Sequence, residues 1–230
     1  MTSKAIISTG NPELDSKMGG GLPLGSLVLI EGSSAAGKSV LAQQILHGAL
    51  FHQYTAALFT SENSVRSLVS QMQSIDLDIL DFLLLGRFRV YPMALTQLGT
   101  EAPTVLIDAI RKESHRQMIV IDSFTSAISE NSTPQNILHF FEQCKKLCTQ
   151  NITIIITLHS ASVKQELVSP IRSMCDAHLQ LRTQQDAQRL IKTLEVTKIR
   201  GASGVTGSIV GFEVEPGWGM RLIPISKARG

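Results

Sequence analysis

Residues 27–39 read LVLIEGSSAAGKS, and this stretch decides the fold. The apolar run at 27–30 is typical of a short buried strand in a parallel sheet, Gly32 ends it, and a helix is predicted from Lys38. The loop between them fits G-x-x-x-x-G-K-[ST], in which backbone N–H groups surround phosphates. An ordinary glycine turn capping a helix is the alternative, but the position between strand and helix favours a phosphate site.

The loop residues have separate roles in that interpretation. Lys38 is expected to meet the β- and γ-phosphate oxygens and so to serve catalysis as well as binding, and Ser39 is expected to ligate Mg²⁺. The predicted cofactors are therefore ATP and Mg²⁺. The predicted cofactor-binding residues of this segment are Gly32, Ser33, Ser34, Ala35, Ala36, Gly37, Lys38, Ser39 and Val40.

Strand-like and helix-like segments alternate after this stretch. Strands are predicted at 56–59, 87–91, 118–121 and 152–158, and helices at 65–72, after Pro103 and around Cys144 and Cys148. Such repeated units predict an α/β fold with a mostly parallel central sheet flanked by helices on both faces, and ligands bind beyond the carboxyl ends of its strands. After Asp176, strand-like runs at 178–183, 189–199, 208–215 and 220–225 predict a C-terminal antiparallel extension.

The composition is that of an ordered globular protein. Of 230 residues, 43% are apolar and 17% charged, and this length predicts one ATP-binding domain over residues 1–230. The 21 basic and 19 acidic groups leave a net charge of +2, so nothing at whole-chain level demands a nucleic-acid partner. The apolar runs fall far short of a membrane helix and no signal-peptide core is visible, which predicts a cytoplasmic protein without direct membrane insertion.

The three cysteines do not predict a disulfide framework, because their number is odd and the predicted compartment is reducing. Cys144 and Cys148 continue a helical stripe with Ile137, Phe140 and Phe141. This spacing favours a buried helix face over a metal site.

Asp122 directly follows the apolar strand at 118–121 and is the second candidate ligand of the metal, beside Ser39. An Asp after a strand is commonly a turn or helix-cap residue. The P-loop earlier in the chain makes the metal role the preferred interpretation here.

Two further polar side chains follow predicted strands. Glu62, in the segment TSEN at 60–63, lies where it could orient or deprotonate a water that attacks the γ-phosphate, and it is the candidate catalytic residue. A first-turn glutamate favoured by the helix dipole remains an equal alternative. For His159, a γ-phosphate sensor and a satisfied structural histidine both stay open.

Lys198 and Arg200 alternate along one predicted strand and precede a Gly-rich turn at 201–204. Both cations therefore project together from a strand end. They are either solvated surface charges or, in a ring, a pair that reaches the nucleotide of the neighbouring subunit.

The segment before the P-loop, at 7–26, resembles the opening of KaiC-like ATPases of the RecA superfamily. It contains ISTG at 7–10, GGGLP at 19–23 and Gly25-Ser26. The resemblance spans nearly the whole chain and implies a RecA-like domain in a homo-oligomeric ring, with a hexamer favoured. It also implies that residues 194–201 supply the intersubunit Lys198 and Arg200, and that Glu62 is the catalytic glutamate.

Within this group the chain resembles the archaellum accessory ATPases of the archaeal motility motor. The residues that carry this resemblance are 82–92, 211–216 and 220–224. It implies a cytoplasmic regulator, peripheral to the membrane-embedded motor, that binds ATP well and hydrolyses it poorly. The implied partners are the secretion-type ATPase of the motor and its membrane platform.

The sequence departs from the KaiC-like pattern at two places. Ala35 and Ala36 stand where the loop usually has Gly and Thr, and alanine resists the positive φ that glycine accepts. Asn63 replaces the second of two paired acids, which leaves Glu62 unassisted. These departures predict that nucleotide binding survives and that fast turnover does not.

Two other functions remain as alternatives. One is a KaiC-like ATPase or autokinase. The other is a RecA-type DNA recombination factor, which would hold DNA with loops at 123–134 and 160–170. Those loops hold one lysine and one aromatic residue, Phe124, so a basic stacking platform is lacking.

Overall fold

The computed structural model of the chain describes residues 5–128, 132–186, 189–202, 204 and 207–223. The strands are β1 (Ile6–Ile7), β2 (Leu22–Pro23), β3 (Leu27–Gly32), β4 (Ala56–Thr60), β5 (Phe88–Pro92), β6 (Met118–Asp122), β7 (Thr153–His159), β8 (Ala177–Asp186), β9 (Arg189–Ile199), β10 (Ile209–Glu215) and β11 (Gly219–Ile223). The α-helices are α1 (Pro12–Lys17), α2 (Lys38–Phe51), α3 (Val65–Ser74), α4 (Leu80–Leu84), α5 (Ala102–Lys112), α6 (Pro134–Cys148) and α7 (Gln165–Met174).

Nine strands form the main sheet in the order β11-β10-β9-β8-β3-β7-β6-β4-β5. The strands from β8 to β5 in this order run parallel to one another, and β9, β10 and β11 add antiparallel pairings at the other side. The predicted fold class, a mostly parallel sheet with a C-terminal antiparallel extension, is confirmed. The predicted strand at 220–225 ends at Ile223, and residues 224–225 lie outside the described ranges.

The sheet separates two hydrophobic cores, and strand β3 contributes to both. Val28 and Ile30 belong to the core that contains α2 and α3. Leu27 and Leu29 belong to the core that contains α5, α6 and α7. Successive side chains of a strand point to opposite faces, so a continuous apolar run is what a strand covered by helices on both faces requires.

Cys144 and Cys148 lie buried on α6, on the face that the helical stripe predicts. Across the described ranges, no group of three or more His, Cys, Asp or Glu side chains is placed to bind a metal. None of the helices in those ranges combines the length and the apolar character needed to cross a bilayer.

The segment at 160–170, interpreted from sequence as a loop, is mostly helical. A short 3-10 turn at Ser160–Ser162 leads to α7, which contains Pro170 in its interior. Proline is normally a helix-breaking signal because it lacks an N–H group. Here Leu167 and Ile171 are buried against the core, and this packing keeps the helix despite the proline.

The second segment assigned to DNA binding also differs from that interpretation. Phe124, its aromatic residue, is fully buried and stacks on Phe140 with ring centroids 4.3 Å apart. A ring held in the core is not available to stack on a nucleobase. The described part of this segment therefore gives the recombination-factor alternative no support.

Glu31, the residue before Gly32, is a buried carboxylate with two cationic or potentially cationic partners. Arg172 of α7 donates from Nη2 to Oε1 at 2.6 Å and from Nε to Oε2 at 2.9 Å, and His178 Nε2 lies 3.0 Å from Oε2. Burial alone would raise the pKa of Glu31, but the bonds from His178 and Arg172 outweigh it and lower the pKa to about 2. The cluster joins α7 to β3 and β8.

We expect Glu31→Gln to reduce the acid sensitivity of the fold. A carboxyl group whose pKa falls from 4.5 to about 2 on folding contributes stability that is present above pH 4.5 and is lost as the pH falls toward 2. The free energy of unfolding of Glu31→Gln should therefore change less steeply with pH in this window, as measured by urea unfolding. Glu142→Gln, at an exposed position of α6, is the control, and equal slopes in all three proteins would contradict the assignment.

Candidate functional site

The P-loop lies at the carboxyl end of β3. It is bounded by two glycines, at positions where the surrounding atoms leave no room for a side chain. A Cβ at Gly32 would lie 2.5 Å from the carbonyl oxygen of Leu181 in β8, and one at Gly37 would lie 3.0 Å from the ring of Phe212 in β10. Gly37 also has a φ of 99°, which favours glycine. Strands β8 and β10 therefore back the loop directly.

The loop presents backbone N–H groups at the start of α2. Gly37 is the N-cap of this helix, and no side chain caps it. The first N–H groups of a helix lack partners within the helix and carry its positive dipole end, so they suit an anion. Ala35, next to them, adopts a φ of 58°. This is the positive φ that an alanine was expected to resist at this position.

Lys38 folds back over the loop. Its Nζ donates a hydrogen bond to the carbonyl oxygen of Ser33 at 2.7 Å. Burial lowers the pKa of Lys38, and the negative charges of Asp122 and Glu62 oppose this shift. A partly desolvated ammonium group at the centre of a phosphate-binding loop attracts an anion more strongly than an exposed one would.

Asp122, at the end of β6, lies beside Ser39 as the sequence predicts. Ser39 Oγ donates to Asp122 Oδ1 at 3.2 Å, and Thr157 Oγ1 of β7 donates to the same oxygen at 2.7 Å. Burial raises the pKa of Asp122, and the bond from Thr157 opposes this shift. A hydroxyl and a carboxylate oxygen side by side fit the donor set that Mg²⁺ prefers.

Glu62 lies at the exposed rim of the same site, just past β4. Its Oε1 is 3.4 Å from Ser123 Oγ, and its backbone N–H bonds to Thr60 Oγ1. His159, at the end of β7, contacts Ser162 Oγ through Nδ1 at 3.1 Å. Parallel strands that end at one sheet edge bring these two residues to the loop, as the predicted fold requires.

These residues surround an open cavity of about 570 Å³. Its lining consists of Ser34, Ala35, Gly37, Lys38, Ser39, Val40, Glu62, Asp122, Ser123, Thr125, Ser126, His159, Ser162 and Lys192. Of the other predicted loop residues, Gly32 ends β3, Ser33 offers the carbonyl that Lys38 bonds, and Ala36 is buried in the core.

Lys198 and Arg200 lie away from this cavity. Lys198 pairs with His178 near the amino end of β8, so it is at the opposite end of the sheet from the P-loop. Its Nζ donates to the carbonyl oxygen of Arg172 at 2.7 Å, and Arg200 Nη2 donates to that of Ser173 at 3.3 Å. The structure thus does not bring these cations to the phosphate loop of their own chain.

Sequence reasoning missed four hydroxyl-bearing residues of the cavity lining, Ser123, Thr125, Ser126 and Ser162. It also missed two residues that contribute more directly to the site. Lys192 lines the cavity from β9, opposite Phe212 of β10. Thr157 holds the carboxylate of Asp122 from within an apolar strand. A polar residue inside the run at 152–158 was the available signal for Thr157. Lys192 reaches the loop only because β8, its neighbour in the sheet, pairs with the distant strand β3.

The chain resembles proteins of one family along nearly its full length. The family whose profile matches, described as ATPase: KaiC, covers residues 7–227. The archaeal flagellar ATP-binding protein FlaH of Sulfolobus acidocaldarius is 30% identical over 97% of this chain and 99% of its own length. FlaH of Methanocaldococcus jannaschii is 27% identical over 95% of both chains.

A solved structure agrees with these sequence relatives. The crystal structure of the flagellar accessory protein FlaH from Methanocaldococcus jannaschii superposes with a TM-score of 0.85, at 23% identity, and covers 96% of this chain and 100% of its own. The circadian clock oscillator protein KaiC 1 of Synechocystis is more distant, at 24% identity over 82% of this chain and 38% of its own length.

We expect Thr157→Val to weaken metal-dependent nucleotide binding by roughly tenfold, because a hydrogen bond to a charged group contributes about that much. Valine keeps the shape but cannot donate to Asp122, so the pKa of this carboxyl should rise further and the defect should be larger at pH 6 than at pH 8. Titration with a fluorescent ATP analogue, with and without Mg²⁺, measures it.

Thr153→Val is the matched control. Thr153 is buried at the other end of β7, where its Oγ1 accepts from Gly25 N at 3.0 Å, far from Asp122. A comparable loss of Mg²⁺-dependent binding in this control would mean that any buried threonine of the strand has the same effect.

Proposed function

We propose, from the premise that this chain belongs to the KaiC family of ATPases and within it to the FlaH family of archaeal flagellar ATP-binding proteins, that it is a nucleotide-gated assembly component of the archaellum motor. In this proposal Mg-ATP organises a homo-oligomeric ring, with a hexamer favoured, and the ring docks on the secretion-type ATPase of the motor beside its membrane platform. The protein acts from the cytoplasm, and the bound state rather than turnover is its output.

The phosphate half of the proposed site is supported by the geometry around the P-loop. The backbone N–H groups from Ala35 to Val40 face the phosphates, Lys38 meets the β- and γ-oxygens, and Ser39 with Asp122 holds Mg²⁺. Lys192 adds a second cation at the cavity wall. All of these groups belong to one domain, which we take as residues 1–230.

Lys198 and Arg200, here called the finger pair, support the ring. Lys198 of β9 pairs with His178 of β8, and His178 pairs with Leu29 of β3. Leu29 is three residues before Gly32, the first residue of the P-loop. At about 3.3 Å per residue, the finger pair lies roughly 10 Å along the sheet from the start of the P-loop, on the far side from the phosphates. Its cations therefore serve a nucleotide best when that nucleotide is held by a neighbouring subunit.

Slow hydrolysis is supported by the surroundings of Glu62. This carboxylate is exposed. Within the described part of the chain, its hydrogen-bond partner is Ser123 Oγ alone. Its neighbour Asn63 supplies no second charge. A general base works best when its position relative to the attacking water is fixed, and a single long hydrogen bond on an exposed side chain does not fix Glu62 strongly.

We expect Lys38→Ala to weaken ATP binding by roughly 10- to 100-fold, because it removes a charge-assisted contact to the phosphates. Assembly in Mg-ATP should be lost with it. Size-exclusion chromatography with light scattering, beside the fluorescent titration, measures both. Lys112→Ala, at an exposed position of α5, is the control, and a Lys38→Ala protein that still binds ATP and assembles would overturn the proposal.

The contact between Glu62 and Ser123 also favours a second function, a KaiC-like ATPase or autokinase in which Glu62 activates water or a hydroxyl group. Under our proposal, steady-state phosphate release is below about 0.1 per second, against 1–10³ per second for typical enzymes. We expect Glu62→Gln to lower this small rate and to keep Mg-ATP-dependent assembly. Asn63→Asp, which restores a second acid, should raise it.

Faster wild-type release that falls by about 100-fold or more in Glu62→Gln would favour the enzyme instead, because that is the usual loss when a general base is removed. Assembly that fails in Glu62→Gln while ATP still binds would show that turnover, not occupancy, drives the ring.

A further inference from the structure

The last turn of helix α7 is the support on which both members of the finger pair rest. Lys198 donates to the carbonyl oxygen of Arg172, and Arg200 donates to that of Ser173. The last carbonyl groups of a helix have no partner within it and carry the negative end of its dipole. Cations are therefore stabilised there. The pairing of β9 with β8 places the backbone of the finger pair, and this turn of α7 holds the cationic ends of the two side chains.

The same turn is tied to strand β3 by the side chain of Arg172. Its guanidinium makes two hydrogen bonds to Glu31, whose side chain is only 3% exposed. Paired bonds of this kind fix orientation as well as distance. Arg172 thus uses its side chain to hold β3 and its carbonyl group to hold Lys198.

The dependence between these parts runs in one direction. Strand β3 is paired along its length to β7 on one side and to β8 on the other, so its position does not need Arg172. Helix α7 has no such pairing, and beyond the buried Ile171 its last turn is held to the sheet through the side chain of Arg172 and through Cys175 at the C-cap. The bonds from the finger pair add to this attachment, but they come from long side chains, whereas Glu31 is buried in the middle of the sheet. Glu31 is therefore the fixed point, and α7 is the part that it positions.

We propose that Arg172 is a positioning residue that sets the finger pair for use by a neighbouring subunit, by fixing the last turn of α7 on Glu31. This inference rests on the proposed function, in which Lys198 and Arg200 act in trans. It adds Arg172 to the residues on which the intersubunit nucleotide site depends, although Arg172 itself contacts no nucleotide. The competing interpretation is that the Glu31–Arg172 pair only stabilises the fold.

Mixtures of two disabled subunits separate these possibilities. The finger donor carries Lys38→Ala, so its P-loop fails while its finger pair is intact. The site donor carries Lys198→Ala with Arg200→Ala, so its P-loop is intact while its finger pair fails. Neither variant should assemble alone. In the mixture, the intact P-loop of a site donor meets the intact finger pair of a finger donor, whereas the opposite contact is disabled. We therefore expect a heterodimer in Mg-ATP, measured by light scattering.

Arg172→Met is then added to one partner at a time. Methionine keeps most of the aliphatic stem and the backbone carbonyl but loses the bonds to Glu31. In the finger donor, we expect the ATP concentration for half-maximal heterodimer to rise roughly tenfold, within the usual range of coupling between sites. In the site donor, we expect it to change by less than about twofold, because β3 keeps its own pairing.

A stability control uses Glu31→Gln with Arg172→Met in the finger donor. Removing one partner of a buried ion pair is destabilising, whereas replacing both removes the unpaired charge. We expect the double replacement to recover the thermal midpoint and to leave assembly defective. Recovery of assembly together with stability would show that the pair is merely structural, and would overturn the inference.

Two further results would also overturn it: equal losses with Arg172→Met in either partner, or no loss in the finger donor. A parent mixture that forms no heterodimer, although its site donor binds ATP, would contradict the trans role itself and with it the proposed function. A parent mixture that assembles, unaffected by Arg172→Met, would remove only the inference.

Discussion

The pairing of strand β3 on both sides is the constraint on which the site depends. Hydrogen bonds to β7 and β8 run along the strand up to Gly32, so the first residue of the P-loop has a fixed position in the middle of the sheet. The loop then turns between Leu181 and Phe212, at distances that only glycine permits. A phosphate site made of backbone N–H groups needs this rigidity, because such donors are useful only when they need no reorganisation to meet the anion.

Local sequence was sufficient to predict the part of the site that follows from parallel order. Asp122, Glu62 and His159 each follow an apolar strand, and parallel strands end at one edge, so their convergence on Lys38 needed no knowledge of which strands are neighbours. The contribution of Lys192 depends on the pairing of β9 with β8 and of β8 with β3, and the last two strands are far apart in sequence. Helix α7 was missed because Pro170 is a local breaking signal, whereas the burial that overrides it is tertiary.

The two alanines of the loop differ in their physical effect, although the sequence alone predicted the same backbone constraint for both. Ala35 has a φ of 58° and lines the cavity, so it bears the backbone strain, which costs about 1–2 kcal/mol for a residue with a Cβ. Ala36 is fully buried in the core beside α2, where a small apolar side chain is what the packing accepts. The strain therefore lies at one residue that faces the cavity, and the surrounding fold maintains it.

If the nucleotide site is divided between two chains, as we propose, binding alone is sufficient to control assembly. A ligand shifts an equilibrium only by its difference in affinity between the two states. In the proposed ring, the P-loop of one subunit supplies Lys38 and the metal ligands, and the finger pair of the next supplies two more cations, so ATP binds the assembled state better. Loss of the γ-phosphate would remove much of the charge that the finger pair neutralises and would end that difference. In the proposed function an unassisted Glu62 lengthens the time before this happens, so the proposed slow hydrolysis and the proposed stable ring have the same physical cause.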